Sequence, residues 1–305
     1  MGDVILATAG YDEKVVLWNP STEVASRIIP IKEMHVNALA VTPDKQYLAV
    51  AAHKSLKVFD LHSNSPLPVH SYEGHSNNIT AVGFPKKGNW LYTASEDGSL
   101  RIWDFATHRS QRCYKQELPA NTAVLHPNQS ELVAGYESGE IHQWDLTSER
   151  SQVIKTSEEE PIRSLQISGD ARLGVAVNNS GAVYLWQCPE MQLLGRVQAH
   201  NTYATRCALS ADASLLATSS ADKTVKIWSV DTTSEYLLTL DKALIGHKMW
   251  VWDCAFTIDS AYMATTSTDG TAKLWEVRSG RIARNYIGVH TKGITSLLLN
   301  DYKSV

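Results

Sequence analysis

An aromatic residue closes a short strand-like run seven times along this chain, at Trp18, Phe59, Trp103, Trp144, Trp186, Trp228 and Trp275, with successive spacings of 41, 44, 41, 42, 42 and 47 residues. The runs themselves are copies of one another. "SEDGSLRIWD" (95–104), "SADKTVKIWS" (220–229) and "STDGTAKLWE" (267–276) share one pattern, and weaker copies stand at "YDEKVVLWN", "HKSLKVFD", "ESGEIHQWD" and "NSGAVYLWQ". Seven units of this period account for all 305 residues with no linker left over, so one small repeated unit must build the whole molecule.

Within a unit the local pattern is that of strands. "ITAVGF", "WLYTAS" and "SLRIWD" are short β-branched or aromatic runs separated by Gly, Asp, Asn and Lys clusters, and no window sustains an apolar stripe over a helical length. A four-stranded unit buries only part of its apolar surface alone, so the units must stack radially. The expectation is an all-β, seven-bladed propeller forming a single domain over residues 1–305.

Three units share a set of four residues at fixed separations: His75, Thr93, Asp97, Trp103; His200, Thr218, Asp222, Trp228; and His247, Thr265, Asp269, Trp275. In each, His to Asp is 22 residues and Asp to Trp is 6. This constellation resembles that of the WD-repeat family, where the resemblance implies a buried relay from carboxylate to imidazole to hydroxyl to indole. Each of these groups needs a partner once buried, and leaving one unpaired costs about 1–3 kcal/mol. Near the chain start, Thr8, Asp12 and Trp18 form the same set without a preceding His, while His290 predicts an Asp 22 residues later, a position past Val305. Each end supplies what the other lacks. The run "ITSLLLN" should therefore be the innermost strand of the blade that begins at Val4, pairing two edges that would otherwise stay open. Counting 6 back from Phe59, Trp144 and Trp186 gives His53, Ser138 and Ser180, so blades two, four and five should lack the relay and depend mainly on apolar packing.

A hydrolase reading of the Thr, His and Asp groups fails on repetition, because a catalytic site has no reason to be copied around a ring. "SADK" at 220–223 formally matches S-x-x-K, but no H-E-x-x-H, G-x-S-x-G or Walker motif accompanies it. No catalytic residue, cofactor or metal is implied. The four cysteines have no C-x-x-C pair and read as buried small hydrophobes in a reducing compartment. A net charge of −4 gives no basic field for nucleic acid. No basic-flanked leader, myristoylation signal or transmembrane run is present, so a cytoplasmic location is expected.

Function in such a fold belongs to loops and the channel mouth. Residues three and five beyond each relay His should ring that mouth: Asn78 and Thr80, Tyr203 and Thr205, Trp250 and Trp252, Gly293 and Thr295. Alignment of the other innermost strands adds His35 and Asn37, Pro119 and Asn121, and Pro161 and Arg163. Of nine Trp, only Trp250 and Trp252 in "GHKMWVWDCAF" have no equivalent in sister units. Together with Tyr203 they are candidates for an aromatic anchor.

The stretches "VILATAGYD", "VNALAVTPDK", "SNSPLPV", "LHPNQSEL", "GHKMWVWDCAF" and the final "LND" resemble, from end to end, the small G-protein-beta-like subunit family of the target-of-rapamycin (TOR) kinase complexes. That resemblance implies a non-catalytic subunit. It would dock on the catalytic domain of a large Ser/Thr kinase beside the other complex subunits, stabilise the active-site region and support growth and nutrient signalling. Peripheral endomembrane association would come through the complex. Two rival binding functions differ in their needs. A cullin-type ubiquitin ligase adaptor calls for W-D-x-R after a repeat, and the nearest match is "WEVR" at 275–278. A modified-peptide reader needs an Arg cluster or aromatic cage, to which only Arg163 and the Trp250, Trp252 and Tyr203 group could contribute.

Overall fold

The computed structural model describes residues 4–301 apart from 33, 34, 149, 189 and 235. Among these residues there are 28 β-strands and no helix. They pair antiparallel into seven four-stranded sheets. The innermost strands, Val36–Val41, Ile79–Gly83, Ala120–Leu125, Ile162–Ile167, Ala204–Leu209, Val251–Phe256 and Ile294–Asn300, touch one another in a closed cycle. This is the seven-bladed propeller expected from the period.

The second strand of each blade explains why the ring holds. Tyr47–Ala52 (YLAVAA), Leu215–Ser220 (LLATSS) and their counterparts are almost wholly buried and rich in small residues, because a neighbouring blade covers each of their faces. The apolar clusters accordingly lie between blades. Ala7, Val15 and Ile29 of blade one pack with Leu48, Val50 and Phe59 of blade two, while Leu6, Val16 and Trp18 pack with Ala264, Ala272 and Tyr286 of blade seven. Each large side chain buried this way contributes about 1.5–3 kcal/mol. Only an intact ring collects these contributions from both faces of every blade.

The seam is made by main chain. Ile294–Asn300 pairs with Ile5–Gly10 in a register running from Ile5 opposite Asn300 to Gly10 opposite Ile294. Lys14–Trp18 and Ala25–Pro30 complete that blade. Tyr11 N–H donates to the Gly293 carbonyl at 3.0 Å, and a Cβ on Gly10 would collide with that same carbonyl.

Two details differ from the sequence reading. Three cysteines are buried and all four are free, but Cys113 is exposed. It lies on the outermost strand Ser110–Lys115, whose side chains other than Tyr114 face solvent. The innermost strands also each carry a β-bulge at one equivalent place, leaving Asn37, Thr80, Asn121, Arg163, Thr205, Trp252 and Thr295 without a partner residue opposite.

Deleting residues 288–305 removes the strand that closes the seam and uncovers apolar clusters on both sides of it. The shortened chain should be insoluble or melt at least about 10 °C lower, the shift expected for several kcal/mol in a chain of this size. An unchanged calorimetric midpoint would contradict the closure.

Candidate protein interface

Four His side chains anchor one face of the ring. His75 Nδ1 lies 3.0 Å from Asp97 Oδ2 and its Nε2 lies 2.7 Å from Thr93 Oγ1, which accepts the Trp103 indole N–H at 2.8 Å. His200, Asp222, Thr218 and Trp228 repeat this at 2.7, 2.8 and 3.0 Å. His247, Asp269, Thr265 and Trp275 do so at 3.1, 2.8 and 2.9 Å. The fourth set spans the seam: His290 meets Asp12 at 3.0 Å and Thr8 at 2.8 Å, and Trp18 donates to Thr8 at 2.7 Å. The carboxylate can only accept and the indole can only donate, so the proton sits on Nδ1 and the Thr hydroxyl donates to Nε2. Thr8, Thr93, Thr218 and Thr265 are fully buried, which leaves these hydroxyls beyond reach of any substrate.

Charge in the relay is set by competition. Burial alone would raise the Asp97 carboxyl, yet hydrogen bonds from the Ser99 hydroxyl, the Ser76 and Ser99 backbone and His75 hold it well below the ordinary 3.8. The same balance, with His200 and Thr224 or His247 and Thr271 as donors, lowers Asp222 and Asp269. At the seam, the hydrogen bond and charge of His290, with Thr291 N–H and Lys14, lower Asp12 against the opposing effect of burial. Burial pushes His75 below its ordinary 6.5, opposed in part by Asp97.

In the three blades without this set, apolar residues stand where the Thr hydroxyl would be: Val50, Ala134 and Ala176. Their solutions differ. Blade two is apolar, with Ile31 and Phe59 buried in the His and Trp places. In blade four the Trp144 indole donates to the Tyr136 hydroxyl at 3.2 Å, and His142 stacks on Trp144. In blade five the spacing of 22 survives with other chemistry, Ser180 Oγ donating to Glu158 at 2.7 Å. Polar substitution, and not apolar packing alone, therefore supports blades four and five.

The relay loops and the bulges open on the same face. Several of the sequence-selected mouth residues turn out to tie blades together. From the bulge positions, Asn37 donates to the Ile79 carbonyl at 3.0 Å, Thr80 to Ala120 at 2.8 Å, Thr205 to Val251 at 2.6 Å and Thr295 to Val36 at 2.8 Å. Each acceptor is the first residue of the next blade's innermost strand. Asn78 and Asn121 hold Glu96 and Glu137 at 2.9 and 2.7 Å, and Arg163 holds Asn179 at 2.6 Å. His35 packs against Tyr11 at 5.8 Å.

Besides Arg163, the mouth residues facing solvent are aromatic. Tyr203 and Trp250 are 49% and 41% exposed, with ring centroids 6.0 Å apart. Trp252 lies 5.7 Å from Trp250 and is steadied by its indole N–H donating to Thr268 Oγ1 at 2.7 Å. Sequence reasoning missed Met249, 47% exposed in the same relay loop, and Ile245, 76% exposed at the end of the outermost strand Leu238–Ile245 that leads into it. A signal existed. Met249 stands where relay blades carry Asn77, Thr202 and Lys292, and Ile245 where they carry Glu73, Gln198 and Gly288. Apolar residues at positions that sister blades keep polar or bare mark a surface meant to be covered.

Fold and relay together define a WD-repeat β-propeller with an aromatic patch on its relay face. The family model described as "WD domain, G-beta repeat" matches residues 66–104, 191–229 and 238–276, the stretches holding the three relays that are continuous in sequence. Over nearly its whole length the chain is also similar to Target of rapamycin complex subunit LST8 of Mus musculus, 43% identical over 98% of this chain and 95% of the relative. It is 41% identical to Target of rapamycin complex subunit wat1 of Schizosaccharomyces pombe, over 98% and 96%, and 41% identical to the LST8 subunit of Saccharomyces cerevisiae, over 98% and 99%. The chain belongs to the LST8 family.

Two outcomes test the relay. Thr93→Val keeps the shape but strands the Trp103 N–H and the His75 Nε2, at about 1–3 kcal/mol each, and the urea midpoint should fall accordingly. For pH the signs agree. His75 and the relay carboxylates all have folded values below their unfolded ones, so the unfolded chain takes up protons first and stability is lost on acidification. The loss should begin as pH falls below about 6.5 and steepen below about 4, where the carboxylates titrate. Equal urea midpoints at pH 7 and pH 4.5 would refute this linkage.

Proposed function

We propose that this chain is a non-catalytic subunit of a TOR Ser/Thr kinase complex that docks by its relay face on the kinase catalytic domain and stabilises it in support of growth and nutrient signalling. It works in the cytoplasm, with peripheral endomembrane contact made through the complex. Its partners are the TOR kinase and the associated subunits, not nucleic acid. Among the described residues no helix is long and apolar enough to cross a membrane. The chemistry belongs to the partner, and the four repeated His, Asp and Thr relays of this chain are closed inside blades.

The observation that carries this reading is the cluster of exposed Tyr203 and Trp250 with half-buried Trp252, on a ring whose relatives, matched over nearly their whole length, are named as TOR complex subunits. Stable docking of this kind buries roughly 1,200–2,000 Å² in total, and loss of one central aromatic anchor costs about 2–4 kcal/mol. The polar half of the mouth, with Asn78, Asn121 and Arg163, supplies a rim.

Replacing both tryptophans, Trp250→Ala with Trp252→Ala, should leave the ring folded and reduce co-purification of the TOR kinase about thirtyfold or more. Because Trp252 also bonds Thr268, the pair Tyr203→Ala with Trp250→Ala serves as a second variant that removes solvent-facing rings only. Full kinase recovery with both variants, or recovery of a cullin adaptor in place of the kinase, would overturn the assignment.

A further inference from the structure

On the opposite face of the ring, four blades share one turn cap, blade four keeps a polar version of it with His126 and Asn128, and blade three departs from it altogether. In the four, the turn from innermost to second strand is capped by a hydroxyl and a carboxylate: Thr42 donates to Asp44 at 2.5 Å, and Ser168 to Asp170, Ser210 to Asp212 and Thr257 to Asp259 at 2.6 Å. Each carboxylate also takes a backbone N–H, from Gln46, Arg172, Ser214 or Ala261. The turn in blade three has the same length, since Gly83 pairs with Tyr92 as Ala40 pairs with Ala49. Yet Pro85 occupies the hydroxyl position and Lys87 the carboxylate position of "FPKKGNW". Both halves of the cap are gone, and a cation replaces the anion. Burial of Pro85 and the Lys86 backbone N–H donating to Gln129 Oε1 at 2.7 Å hold the turn in other ways, but neither calls for a cation at position 87.

Beside this turn lies a cavity of about 250 Å³ lined by Tyr47, Phe84, Trp90 and Phe105, with Lys86 and Lys87 at its edge. The rings support one another, Phe105 lying 5.4 Å from Tyr47 and 6.1 Å from Phe84, so the hollow is preformed. Both lysines are exposed, and neither makes an ion pair among the described residues. Asp44, the acid on the same wall, is committed to Thr42 and Gln46. Small-molecule pockets run to about 300–1,000 Å³. This one is the size of a single aromatic side chain.

We propose that the cleft between blades two and three docks a linear acidic segment of a partner protein, with one aromatic residue seated among Tyr47, Phe84, Trp90 and Phe105 and flanking carboxylates on Lys86 and Lys87. The site lies on the face opposite the Tyr203, Trp250 and Trp252 cluster. Both faces can therefore be occupied at once, which makes the ring a bridge between two partners. The proposal stands independently of what binds the relay face.

The test is fluorescence anisotropy of the full chain with a fluorescein-labelled Asp-Glu-Phe-Glu-Asp peptide. Saturable binding is expected, weakened at least about tenfold by Phe→Ala in the peptide or by Lys86→Glu with Lys87→Glu in the protein, and weakened by salt. Pro85→Ser with Lys87→Asp gives blade three the cap of its sisters, so it should melt no lower than the parent protein while losing the peptide. Tyr203→Ala with Trp250→Ala should bind it unchanged. Absence of saturable binding, equal binding of Lys-Lys-Phe-Lys-Lys, or binding that survives both lysine variants would overturn the proposal. So would sedimentation with phosphatidylserine vesicles in the absence of peptide binding.

Discussion

No blade of this protein is able to bury itself. Its second strand is apolar or small on both faces, as in Tyr47–Ala52, and a lone four-stranded sheet would leave both faces in water. Covering them requires a neighbour on each side, and only a closed ring gives every blade two neighbours. The whole architecture therefore depends on one main-chain event, the pairing of Ile294–Asn300 with Ile5–Gly10. That contact joins residues nearly the full chain length apart, so it carries a large loop-closure cost in folding. The seam is correspondingly reinforced: the relay of His290 with Asp12 and Thr8 crosses the same gap, and Thr295 ties it onward to Val36.

The polar groups inside the blades follow from the same constraint. A buried Trp at the end of the third strand fills the wedge between blades but brings an N–H with it. Four blades satisfy that donor with Thr, whose hydroxyl then needs an acceptor, which His supplies, and whose other nitrogen then needs Asp. The chain of partners ends in a carboxylate at the surface turn, where backbone N–H groups complete it. Blade two avoids the sequence of demands by using Phe59, which has no donor, with Ile31 in the imidazole's place. Blade four ends it early at the Tyr136 hydroxyl. These are three answers to one packing problem, and blade five leaves the donor unanswered, its Trp186 indole N–H being buried without a hydrogen-bond partner among the described residues.

This logic also explains what could be read from the amino acids alone. Relay spacing is set by turn and strand lengths within one blade, so His290 could be matched to Thr8, Asp12 and Trp18 across the seam before any coordinates. Blade count and the all-β class were legible for the same reason. Mouth residues were less so. Asn37, Thr80 and Thr205 reach carbonyls of the next blade because a bulge redirects them, and a bulge leaves no mark in a period-two pattern. Glu158 and Ser180 keep the spacing while changing both residue types, so Ser180 reads as a lost Asp and its partner Glu158 carries no signal. Cys113 was misread because outer strands face solvent on most positions.

The surfaces that do not serve the ring stand out only against those that do. Met249 and Ile245 put apolar groups where sister blades carry Asn, Thr, Glu or Gln, and Pro85 and Lys87 remove a cap that four sister turns keep. In a chain of unrelated segments such residues would be ordinary surface variation. In a seven-fold repeat each position has built-in controls, because its equivalents experience nearly the same backbone and the same neighbours. A departure that relieves no packing or hydrogen-bonding demand in its own blade must answer to something outside the ring. By that standard the relay face over blades six and seven and the opposite cleft between blades two and three are separate features, made by different loops with different chemistry. One is a cluster of solvent-facing aromatic and apolar side chains, the other an aromatic cleft edged by two lysines, and a rigid ring between them holds the two at fixed distance and orientation.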